Sequence, residues 1–316
     1  MKRLLSEIRR ELRWAVSSRL FLALIVAAVL FSAWSAFSDV GNSSSATAQF
    51  HRTASTYTEA GQSVEQALEA PLNVRTNADG QSNIDNPLRY DFEAALAASA
   101  ALNPLGSVVT ALSLALFIFV PLLSYTIGLF VVTSDFKSGA LIARWPQVKG
   151  VRVFVGSKVA LLIVISTVIG VSLAAFSALA GLITSHLQAL PPGVLPTSAL
   201  PGADQIAGLV GAVALVACVF SSLGVVVGSL SRERVFSLVV FALAYYLMPI
   251  LGAWDLRNLI PSMASSWLAF YGGFQPRAVG DVNAGSSAVV LAGIALVLLA
   301  VSAVVWAVRD KTPANL

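Results

Sequence analysis

Few side chains in this sequence are of a type that does chemistry, and none stands in a group that could do it. His51 and His186 are the two histidines and Cys218 is the single cysteine, all far apart in the chain. A hydrolase needs a nucleophile beside a base, or acidic groups that converge on the reacting bond. A zinc centre needs ligands at short, regular spacing. Neither pattern occurs, and one cysteine also excludes a disulfide framework. His186 falls near the end of an apolar run, where a histidine commonly sits at an interface. Gly150-Val151-Arg152-Val153-Phe154-Val155-Gly156-Ser157-Lys158 has the glycines and lysine of a phosphate loop, but not the G-x-x-x-x-G-K-[ST] spacing. The chain is therefore expected to hold no cofactor, no metal and no catalytic centre, and any ATP and Mg2+ would sit on another polypeptide.

The elements around these residues are set by composition. Of 316 residues, 57% are hydrophobic and 11% charged, less than half the roughly 25% charge of soluble domains. Six runs approach the ~20 apolar residues that cross a bilayer: 20–37, 105–133, 153–184, 206–230, 235–254 and 287–308. The fold class expected is an all-α membrane protein with six transmembrane helices. Pro121 interrupts the second run and predicts a kink, because proline removes a backbone donor.

Lysine and arginine fix the expected orientation. The segment before the first run, the second-to-third connection (134–152, with Lys158 following), the fourth-to-fifth turn and the tail 309–316 together carry fifteen; the alternate connections carry five. Both termini are expected in the cytoplasm. The net charge of +4 follows from this asymmetry, and without interleaved aromatic and basic residues it gives no indication of nucleic-acid binding. Five lysines against fifteen arginines, with abundant alanine and valine, fit a high-GC prokaryotic genome and its inner membrane.

In 1–19, Leu4, Leu5, Ile8, Leu12 and Val16 recur at helical spacing, with Arg9, Arg10 and Arg13 mostly off that stripe. An interfacial amphipathic helix is expected, a basic leader being the alternative. Region 38–104 is extracytoplasmic in this topology. Between 39 and 103 it has eight acids against three arginines, helical patterns over Thr47–Ala70 and Leu88–Leu102, and a turn-rich stretch over Asn73–Pro87. With few large apolar side chains it cannot form much core alone. Connection 255–286 holds Leu256, Leu259, Ile260, Trp267, Leu268, Phe270, Tyr271 and Phe274, which fits short re-entrant or interfacial helices. Away from their ends the runs lack ionisable residues, which weighs against an ion-coupled carrier and against sodium export.

The most informative stretch is Thr133 to Lys158, TSDFKSGALIARWPQVKGVRVFVGSK. It passes Asp135, Lys137, Gly139-Ala140-Leu141, Arg144, Trp145, Pro146, Lys149 and Arg152 before the next run. A charged loop with one large aromatic offers an anchor for a docking partner. The order resembles the first cytoplasmic loop of the ABC-2 type permeases, membrane subunits of a class of ABC exporters, with Asp135 at the family's glutamate and Ala140 at its threonine. The N-terminal segment resembles the family's elbow helix, Gly228-Ser229-Leu230-Ser231-Arg232 its short basic turn, and 255–286 its external re-entrant helices.

The resemblance implies that two permease subunits, identical or different, pair in the lipid bilayer. It also implies that each docks an ABC ATPase subunit through a coupling loop containing Asp135, Lys137, Gly139, Arg144, Trp145, Pro146 and Arg152. The chain would then be a transport subunit, not an enzyme, and would move an amphiphilic cargo such as a lipid, drug, peptide or glycolipid by alternating access. Gly224 and Gly228 form a small-xxx-small face for close helix approach, expected within the subunit rather than at the dimer seam. The competing reading is a membrane sensor or assembly scaffold that displays 39–103.

Overall fold

The computed structural model describes residues 2–76, 82–137, 151–187, 201–269 and 282–310. Helices dominate: α1 (Lys2–Ser17), α2 (Leu20–Glu59), α3 (Val64–Glu69), α4 (Pro87–Ala100), α5 (Pro104–Phe117), α6 (Phe119–Lys137), α7 (Val151–Thr184), α8 (Ala203–Ser231), α9 (Val235–Leu247), α10 (Leu256–Ala264) and α11 (Ala284–Asp310). A small antiparallel hairpin, β1 (Val74–Thr76) and β2 (Ser82–Ile84), pairs Val74 with Ile84. Among the described residues, four helices, α2, α7, α8 and α11, are long and apolar enough to cross a membrane, and α4 with α5 makes a fifth if that bent pair is one span. The chain thus has the build of a multi-pass membrane protein.

Three expected spans match single helices closely: α7, α8 and α11. The other three differ. The first helix does not stop at Phe37 but runs to Glu59, 40 residues in all, about 60 Å at ~1.5 Å per residue. The second expected span is two helices, α5 and α6, parted at Ile118. Pro121 explains the place, since a proline ring clashes with the carbonyl four residues earlier, here that of Phe117. The Tyr246 hydroxyl of α9 donates to the Ile118 carbonyl at this break. The fifth expected span is helical only to Leu247. Met248 precedes Pro249 and is extended, with φ −72° and ψ 142°, the conformation a following proline favours.

Local chemistry fixes several starts. Asn86 caps α4 by accepting from the Arg89 N–H at 3.1 Å, with Pro87 at the first helical position. Pro104 opens α5 in the same way. Between these two the chain turns by 94°, and Thr184 at the end of α7 donates to the Leu102 carbonyl inside the turn. α4 returns along the far half of α2, with Thr53 donating to Asp91 at 2.5 Å.

The core lies where α5, α6, α7 and α8 meet, with Leu112, Leu116, Leu161, Ile165, Leu209, Val216 and Phe220 almost wholly buried. α6 and α8 form the most extensive pairing and run parallel, Tyr125 beside Gly224 and Leu129 beside Gly228. α9 joins the bundle through aromatic rings: Phe241 stacks on Tyr125 at 4.0 Å and Tyr245 meets Phe220 edge-on at 5.3 Å. Its outer face, with Val235, Phe236, Leu243 and Leu247, is exposed.

Candidate functional site

Three of the coupling-loop residues singled out in the sequence lie in the helices that flank that loop. Asp135 and Lys137 fall in the last turn of α6, and Arg152 in the first turn of α7. Gly139, Arg144, Trp145 and Pro146 lie outside the described residues. What the structure does show is how the two helices flanking them are fixed.

Each is tied by a charged residue from another element. At α6, Arg234 Nε donates to Thr133 Oγ1 at 2.6 Å, and its guanidinium lies 4.2 Å from the centre of the Phe130 ring. Arg234 stands in the short turn between α8 and α9. Beside it Ser237 donates to the Glu233 carbonyl at 2.7 Å, while Tyr125 of α6 donates to the Ser237 carbonyl at 3.2 Å. At α7, Lys158 Nζ lies 2.9 Å from Glu11 Oε2 of α1, with side chains only 7% and 1% exposed. The Trp14 ring centre is 5.8 Å from the same ammonium. Taking two charges out of water costs several kcal/mol each, so the pair holds only through good geometry.

Behind Thr133, α6 and α8 approach to near backbone contact. A Cβ on Gly128 would lie 1.9 Å from the Ser221 carbonyl oxygen, and one on Gly224 2.2 Å from that of Tyr125. Gly228 is looser, with Leu129 Cδ1 at 3.0 Å. Gly224 and Gly228 therefore pack inside the chain, and Gly128, which the sequence reading did not single out, is the tightest position of the three.

The buried face of α2 changes character along its length. Leu24, Ala28 and Phe31 give way to Ser32, Ser35, Asp39, Ser43 and Thr47, each under a tenth exposed. Asp39 is 3% exposed. The sequence reading took it for part of the acidic extramembrane segment and saw no buried carboxylate; because α2 continues past Phe37, this one is covered by protein.

At the opposite end of the bundle, Asp255 and Arg257 organise the turn between α9 and α10. Arg257 Nη2 lies 2.6 Å from Asp255 Oδ2, and the Arg257 guanidinium also donates to the carbonyls of Tyr245, Met248 and Pro249. These are orphan carbonyls at a helix end, satisfied by a cation. Asp255 in turn accepts from the Leu251 and Arg257 N–H groups at 3.0 and 2.9 Å. The Arg257 guanidinium, aided by those N–H groups, holds the Asp255 carboxyl down at about 2 against its partial burial. From Asn258 to Ala264, α10 is buried. After it, Trp267 covers Gly208 of α8 so closely that a Cβ there would be 2.5 Å from the ring, and Gln205 donates to the Trp267 carbonyl at 2.9 Å. The stretch up to 269 is thus folded back onto the bundle; 270–281 lies outside the described residues.

His51 and His186 are both exposed. Among the described residues no three His, Cys, Asp or Glu side chains gather as a metal site. No family model, no curated protein and no solved structure matches the chain.

Proposed function

We propose that the chain is the membrane subunit of an ATP-driven exporter of the ABC-2 type, with α1 as an interfacial elbow and both termini in the cytoplasm. The observation that carries the reading is the double tie around the 134–152 segment: Arg234 on α6 and Glu11–Lys158 on α7. A push on that segment by a docked ATPase would reach α1, α6, α7 and the α8–α9 turn together. Six crossings result if α5–α6 counts as one and α9 with 248–254 as another. The fifteen-to-five division of lysine and arginine supports the orientation, and the apolar span faces suit an amphiphilic cargo moved between two such subunits.

The test is purification of the tagged chain from its own host in mild detergent, with mass spectrometry of what accompanies it. A P-loop ATPase near one per chain is expected, and its loss on replacing Arg144 and Trp145 by alanine. An intact, folded chain that brings no ATPase would sink the reading. It would favour the sensor or scaffold alternative, to which the ordered unit built by the far half of α2 with α4 lends its own support.

A further inference from the structure

We propose that Asp39 and Ser35 hold a monovalent cation of sodium type in the seam between α2, α4 and α7. This is independent of the export reading. Two registered contacts bracket the position: Ser32 meets Ser177 of α7 at 3.0 Å, and Ser43 meets Ser99 of α4 at 3.4 Å. Asp39 lies between Ser32 and Ser43 on the same buried face of α2, one helical turn from Ser35 and one from Ser43.

Along this face Ser35 Oγ, Asp39 Oδ2 and Thr47 Oγ1 are buried without a hydrogen-bond partner. Ser35 is 1% exposed and Asp39 3%. Burying a hydroxyl without a partner is unfavourable and burying a lone carboxylate far more so, so two such atoms one turn apart point to a shared ligand. None of the ion pairs among the described residues involves Asp39. The available donors are a carboxylate and hydroxyls, all hard oxygens, which excludes metals that need nitrogen or sulfur. A single carboxylate is neutralised by one positive charge. A divalent ion would leave an excess buried charge and would call for more carboxylates than the one present here.

The experiment uses the full chain in a fixed detergent. Thermal unfolding is followed in NaCl and in choline chloride at equal ionic strength, and binding of radioactive 22Na+ is counted. The wild type is expected to bind one Na+ per chain. At Na+ about 100-fold above half-saturation it should melt roughly 3–6 °C higher than in choline. Asp39→Asn should lose both effects, and Ser35→Ala should weaken half-saturation by about tenfold or more. Ser35→Ala also serves if Asp39→Asn fails to fold. Identical melting in the two salts with no bound 22Na+ overturns the proposal and leaves Asp39 a protonated carboxyl. Retention of full Na+ binding by Asp39→Asn overturns it too.

Discussion

The Glu11–Lys158 pair permits a sharp test of how α1 is held. Both groups are almost fully buried, and removing one partner of such a pair costs about 3–5 kcal/mol because a charge is left in a poorly solvated place. Lys158→Met keeps the length and apolar stem of the lysine and removes only the ammonium. Glu11→Gln keeps the shape and removes the charge. Each single variant should lose about 3–5 kcal/mol, or roughly 6–10 °C at about 2 °C per kcal/mol for a chain of this size. The double variant Glu11→Leu with Lys158→Met removes both charges of the pair. It should melt above either single variant, since apolar replacement of a buried pair is neutral or stabilising. The assay is thermal unfolding in one detergent for all four proteins, with tryptic cleavage after the exposed Arg19 reporting release of α1. Single variants within about 1 kcal/mol of wild type, or a double variant whose loss is the sum of the singles, would refute the claim that this pair fixes α1 to α7.

Four further outcomes follow from the geometry. Gly128→Ala and Gly224→Ala should abolish folded yield, because the new methyl meets a carbonyl oxygen at 1.9 and 2.2 Å. Gly293→Ala in α11, with nothing within 4 Å, should raise stability by about 1 kcal/mol through helix propensity; thermal unfolding and gel-filtration yield compare them. Arg234→Met should lose about 2–4 kcal/mol in the same unfolding assay, from one charged hydrogen bond and one stacked ring. The Asp255 carboxyl is depressed from 3.8 to about 2. Its contribution is therefore complete above the unfolded value near 3.8 and is lost as pH falls through about 2. Wild-type melting should drop across that window and Asp255→Asn should not share the drop. Tyr246→Phe should cost about 1 kcal/mol for the lost bond to the Ile118 carbonyl at the α5–α6 break, read as a melting shift of a few degrees.

Long unbroken apolar runs were the legible part of this fold. α7, α8 and α11 follow directly from residues 153–184, 206–230 and 287–308, because a run of that length has no other stable form in a bilayer. The far half of α2 was legible only in part: a helical pattern was expected over Thr47–Ala70, but not its continuity with the first span. Residues 38–59 are rich in Ser, Thr and Ala with little apolar periodicity, and what keeps them helical is α4 lying alongside, a contact between segments far apart in sequence. The chain leaves α2 at Ala60, and Gly61 takes φ +72°, which only glycine adopts freely. Pro121 foretold an interruption, but the break falls three residues earlier because the clash is with a carbonyl one turn back. Glu11 is one of two acids amid six basic residues, and nothing in a single sequence pairs it with Lys158, 147 positions away. Asp39 went unrecognised for a related reason: its burial depends on a helix continuing where hydropathy stops.

The length of α2 has a mechanical consequence. From Phe37 to Glu59 the helix extends about 33 Å beyond its apolar half, at ~1.5 Å per residue. With α4 laid along it and Thr53 joined to Asp91, this part is a braced rod rather than a free strand of chain. A tilt of about 5° in the apolar half swings the distal tip by about 3 Å over that length. The rod is a lever whose long arm stands clear of the apolar segment, so small reorientations of the first span are magnified at Glu59. A label placed there would read the angle of a helix whose own atoms barely shift.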